Sequence, residues 1–147
     1  MRKLVLTAAL AFLACGTLAA QSTVDIRKSV YRERAERMGD RVVRALEPAT
    51  TLRKGDSVVL MLSWRAPVRS ERFTVASPVP RDLAFKRMGG RAAEVSIDGG
   101  RTWGQLAGMR IGARRATPED VTHLRWQVSR DEAGRGKGIL SFSATVR

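Results

Sequence analysis

His123 is the only histidine in this 147-residue sequence, so it has no second imidazole with which to build a metal site or a proton relay. Cys15 is the only cysteine, which leaves no thiol nucleophile anywhere beyond it, and no Gly-x-Ser-x-Gly elbow occurs to activate a serine. The carboxylate pairs Glu119-Asp120 and Asp131-Glu132 fall in turn-like stretches near arginines, where charge balance is the role their neighbours favour. Trp64, Trp103 and Trp126 would make a sugar-stacking platform if exposed, but strand alternation puts all three at inward positions and points to core packing. The remaining candidate is Asp98, in Ser96-Ile97-Asp98-Gly99-Gly100-Arg101-Thr102-Trp103. Its carboxylate can accept backbone N–H groups a few residues on, while glycine takes positive φ at little steric cost. The expected site is therefore a structural turn made by Asp98, Gly99, Gly100, Thr102 and Trp103, with no catalytic, metal-binding or cofactor-binding residue, no cofactor and no enzymatic activity.

The turn needs two strands to hold it. Ala93, Val95 and Ile97 alternate with Glu94, Ser96 and Asp98, the period of a half-buried strand. A two-residue loop would set Trp103 opposite Ser96. One residue more sets it opposite Ile97 on the apolar face, and a buried Trp103 favours that longer loop.

The other segments follow the same logic. Val24, Ile26 and Val30 begin a strand that fades into the charged run Arg32 to Arg37, and Gly39-Asp40 turns it into Val42 to Leu46, a hairpin ended by Pro48. Val58 to Trp64 is the most hydrophobic run after the first residues and reads as a central strand covered on both faces. Phe73 and Val75 lead into Ser77-Pro78-Val79-Pro80, whose prolines exclude central pairing and indicate an edge or crossover. Leu83 and Phe85 point inward. From Gly104 to Pro118 the pattern is weak, with Met109 and Ile111 as the expected anchors. Leu124, Trp126 and Val128, then Leu140, Phe142, Ala144 and Val146, alternate with polar residues, and the turn from Gly134 to Gly138 makes these two strands an expected hairpin with one wet face. No amphipathic helix is expected. About seven or eight short antiparallel strands between Gly/Pro turns predict an all-β sandwich.

Met1-Arg2-Lys3 followed by an apolar run from Leu4 to Ala14 has the form of a secretory signal, too short to span a bilayer. Small residues allow cleavage after Ala19 or Ala20, the latter favoured, and Phe12-Leu13-Ala14-Cys15 is a poor lipobox. Cleavage after Ala20 removes the only cysteine, excludes disulfides and leaves 127 residues, enough for one core. Without Arg2 and Lys3 the 27 basic residues fall to 25 against 14 acidic, a net charge of +11, although charges of both signs are interspersed and only Arg114-Arg115 are adjacent arginines.

Residues 48–147 resemble the bacterial surface repeat domain catalogued as domain of unknown function eleven. The resemblance lies in Lys54-Gly55-Asp56 leading into a hydrophobic strand, Val75 to Pro80, Val95 to Trp103, Val121-Thr122-His123-Leu124-Arg125-Trp126, and the closing strand Gly138 to Val146. It departs at Arg65-Ala66-Pro67-Val68, where the family carries Asn-x-Gly, and at Ser77, where it carries aspartate. The resemblance implies an immunoglobulin-like sandwich, present as a single copy, in an exported envelope or surface protein without assigned activity. The turn also fits the Asp-box of sialidase-type propellers, but one copy cannot build a propeller of several blades.

The organisation expected is thus a signal peptide over 1–20, an N-terminal β-hairpin extension over 21–47 and an immunoglobulin-like sandwich over 48–147. The expected role is that of a non-catalytic module in the bacterial periplasm or at the cell surface, with an envelope or surface component as partner and no membrane span after cleavage. The alternative is a binder of anionic polymer such as lipopolysaccharide, nucleic acid or acidic polysaccharide, and the sequence leaves the oligomeric state open. Intact-mass spectrometry of protein from the native host should find a chain beginning at Gln21 or Ala20, and a diacylglycerol mass on Cys15 would contradict that.

Overall fold

The computed structural model describes residues 23–147, so the expected signal peptide and Cys15 lie outside the described residues. Alternating apolar residues set the strands: β1 (Asp25–Met38), β2 (Arg41–Pro48), β3 (Ser57–Arg65), β4 (Phe73–Pro78), β5 (Leu83–Met88) and β6 (Glu94–Ser96). After a two-residue ribbon, β7 (Arg110–Ile111) and β8 (Arg114–Arg115), come β9 (His123–Val128), the short helix α1 (Arg130–Gly134) and β10 (Lys137–Val146). All pairings are antiparallel, in a five-stranded sheet of order β2-β1-β3-β10-β5 and a three-stranded sheet of order β4-β9-β6. The all-β sandwich is therefore present.

The core lies between the sheets. Val58, Leu60, Leu62 and Trp64 of β3 and Leu140, Phe142 and Ala144 of β10 meet Val75 of β4, Val95 of β6 and Leu124, Trp126 and Val128 of β9. Trp126 stacks on Phe142 at 6.4 Å between centroids, and Trp64 meets the Phe73 ring edge-on at 5.3 Å. Both Trp64 and Trp126 bury an indole N–H that finds no acceptor, so their contribution is apolar area and ring contact rather than hydrogen bonding.

Three expectations need correction. The strands β9 and β10 do not form a hairpin but face each other from opposite sheets. The reason is α1: Ser129 caps it, Glu132 completes the capping box, and Gly136 at φ +78° turns the chain across the sandwich instead of back along β9. The chain is consequently nested, with β3 against β10 in one sheet and β4 against β9 in the other, as in a jelly roll. An immunoglobulin sandwich keeps its last two strands side by side in one sheet. Secondly, β3 is covered along one face only; Ser63 and Arg65 are exposed, and although Val59 on the outer face is shielded, beside it Arg87 reaches Glu33 at 2.9 Å to tie β5 to β1. Thirdly, Ile111 is 40% exposed and anchors nothing, whereas Met109 packs on the core.

The edge role of β4 and the hairpin at Gly39-Asp40 are as the sequence predicts. β1 is longer than its pattern suggests: Asp25 to Arg32 pairs with β3, and from Glu33 to Met38 its only partner is β2. The narrower sheet leaves β1 and β2 uncovered.

Gly138 lies opposite Trp64, and a Cβ there would come within 2.5 Å of the indole ring. Gly138→Ala should lower stability by about 1–3 kcal/mol, the cost of overpacking a core, with the loss much reduced in a Trp64→Leu background; urea unfolding of the four proteins measures it.

Candidate functional site

Asp98 organises the turn after β6. Its Oδ1 accepts the N–H groups of Thr102 (2.9 Å) and Arg101 (3.1 Å) and the Ser96 hydroxyl (2.7 Å), while Oδ2 accepts the Thr102 hydroxyl (2.7 Å). Gly100 N–H donates to Ser96 Oγ at 2.8 Å, and Gly99 and Gly100 take φ of +79° and +88°. Bonds from Thr102 first, then from Ser96 and Arg101, hold the Asp98 carboxyl far below its ordinary value of 3.8. The turn is locked to β9 as well: Gly99 N–H donates to Thr122 Oγ1 (3.0 Å), whose hydroxyl donates to the Ser96 carbonyl (3.1 Å). Nδ1 of His123 lies 3.2 Å from Thr122 Oγ1 and joins the same cluster.

Asp98, Gly99, Gly100 and Thr102 thus sit where the sequence places them, but Trp103 does not. Val95 and Gly104 exchange backbone bonds of 2.8 and 3.1 Å, a register that sets Trp103 opposite Ser96 rather than Ile97. This is the register that the shorter loop would set, not the expected longer one, and with the Asp98 carboxylate accepting the amides of residues 101 and 102 it carries Trp103 onto the outer face of the three-stranded sheet. There the ring is half-buried, edge-on to His123 at 6.4 Å, with the Arg125 guanidinium 4.7 Å from its centroid. Arg125 in turn donates to Glu94 at 2.7 Å. Sequence reasoning placed Arg125 and His123 on the polar face, but no spacing signal links either to Trp103, because that contact depends on the turn.

Beside the turn a cleft of about 710 Å³ runs between Pro78-Val79-Pro80 and the residues Glu119, Thr122, His123 and Arg147, with Arg81 in its wall. Its lining combines the apolar Pro78, Val79, Pro80, Leu83 and Val121 with Arg81, Glu119, His123 and Arg147. Glu119 lines the cleft, and its neighbour Asp120 accepts the Thr117 N–H and takes a two-pronged bond from Arg114 (2.7 and 2.8 Å). Past the other end of β9, Glu132 is pulled down to about 2 by the Ser129 N–H and then by Arg91. No cluster of three or more His, Cys, Asp or Glu suited to a metal occurs among the described residues.

Compared with known proteins, the chain matches no family model, no curated protein and no solved structure.

Because the Asp98 carboxyl is depressed in the folded state, its stabilisation is full above its unfolded value and is lost as pH falls below it. Urea titrations of the parent and Asp98→Asn should differ most near about pH 6–7, with the gap narrowing steadily as pH falls below about 4; a gap as large in acid as at neutral pH would show that the carboxylate charge is not what holds the turn.

Proposed function

We propose that this protein is an exported, non-catalytic module of the bacterial envelope or surface that acts through the faces and edges of its sandwich. The observation that carries the reading is the commitment of nine of its 14 carboxylates to structure. Asp98 closes a turn, Asp120 and Glu132 close capping boxes, and Asp25, Glu33, Glu47, Asp56, Glu71 and Glu94 pair with arginines. Of the family resemblance, the reading keeps the exported sandwich module and not the immunoglobulin strand order. The apolar N-terminal run and the absence of cysteine after residue 20 support export.

A second reading, contact with an anionic polymer, is favoured by one patch. Arg65 of β3 and Lys137 of β10 stand directly opposite each other, like charges that repel, and Arg27 lies one diagonal away on β1. With Ser63 and the largely exposed Ile139 they line a groove of about 490 Å³. Asp25 answers part of this charge, 3.4 Å from Arg27. Elsewhere most basic side chains are paired or dispersed, which favours the first reading.

Fractionation of the native host should recover the protein with the periplasm or envelope, and a cytosolic protein would overturn export. A heparin titration separates the two readings. Binding that disappears by about 150 mM salt fits the first, whereas a dissociation constant at or below about 1 μM there, weakened by Arg65→Glu, would establish the second.

A further inference from the structure

Six of the nine exposed large hydrophobic residues among the described residues, Ile26, Val30, Met38, Val42, Val43 and Leu46, lie on the β1–β2 hairpin, with Val42 63% and Met38 67% exposed. β2 forms one edge of the five-stranded sheet along its full eight residues. The ladder fixes which backbone groups are free. Ala49 N–H donates to the Val30 carbonyl at 3.2 Å, so odd-numbered positions of β2 bond to β1. In an antiparallel pair the even-numbered ones, Val42, Arg44 and Leu46, then turn N–H and C=O to the open edge. Long edges of this kind are normally blunted by charged side chains, proline or a bulge; here Pro48 marks the end, and Arg41, Arg44 and Glu47 are the charges along a strand that is otherwise apolar.

We propose that β2 is a homodimerisation edge: two copies pair their β2 strands antiparallel about a twofold axis at Arg44, joining the two five-stranded sheets into one of ten. The sequence Arg41-Val42-Val43-Arg44-Ala45-Leu46-Glu47 is complementary to itself in this register. Val42 meets Leu46 of the second copy, Val43 meets Ala45, and Arg41 meets Glu47, each pair occurring twice. The edge-facing residues Val42, Arg44 and Leu46 fall opposite one another as hydrogen-bonded pairs, as the ladder requires. Shifting by two residues either way keeps the hydrogen bonds but separates Arg41 from Glu47 and Val42 from Leu46. The two Arg44 side chains meet at the axis, where each is already 3.6 Å from its own Glu33. This proposal goes beyond the functional reading above and holds in any compartment.

Sedimentation velocity of the full chain in about 150 mM salt, over a concentration series, tests it. The interface is a single edge, small beside a standard one, so dimer should appear with a dissociation constant on the order of 10 μM. Arg41→Glu and Glu47→Arg should each weaken dimerisation about tenfold by opposing like charges twice, and the double variant Arg41→Glu/Glu47→Arg should restore it. Val42→Pro removes only an edge-facing N–H and should leave a folded monomer. A monomer at every concentration up to about 1 mM, a range that spans weak edge pairing, would overturn the proposal. So would a dimer indifferent to the charge reversals, and the charge-swap series decides the matter even if Val42→Pro fails to fold.

Discussion

Everything in this sandwich depends on the pairing of β3 with β10. The two strands align from Arg65 opposite Lys137 to Ser57 opposite Thr145, joining segments far apart in the chain in the middle of the wider sheet. Their inward residues supply one wall of the core, and the second wall, β4 with β9, is the same ribbon of chain folded over itself. Burial of Trp126 against Phe142 is what rewards closure of so long a loop, because each fully buried aromatic removes a large apolar area from water. Contacts so distant in sequence also make folding slow relative to local hairpins.

The nesting sets which parts of the sandwich stay open to solvent. Three strands cover five, so the β1–β2 hairpin projects with its free edge and apolar side chains in solvent, while the Asp98 turn and the Pro78–Pro80 crossover close the opposite concern, the end of the narrower sheet where the cleft opens. The arginines have a mixed role. Many sit in exposed ion pairs, which contribute little individually to stability and mainly keep the surface soluble.

Much of this was legible in the sequence, for local reasons. The period-two patterns of β3, β9 and β10, the proline-bounded β4 and the Gly39-Asp40 hairpin all report short-range geometry, as does the bonding capacity of Asp98 beside two glycines. The errors came where a local signal had two geometric outcomes. The glycines after α1 read as a hairpin turn, yet the capping box from Ser129 to Glu132 builds a helical turn that delivers β10 to the other sheet. Trp103 read as core, which favoured the longer loop, whereas the register of Val95 with Gly104 is that of the shorter one and puts Trp103 opposite Ser96 on the outer face. The partnership of Trp103 with Arg125 needed the register of three strands at once.

The nested strand order is the claim on which the rest stands, and backbone nuclear Overhauser contacts test it most directly. The account predicts cross-strand contacts between β3 and β10, such as Leu60 with Phe142 and Leu62 with Leu140, and only side-chain contacts between Trp126 and Phe142. A ladder of backbone contacts running between β9 and β10, with none between β3 and β10, would contradict it.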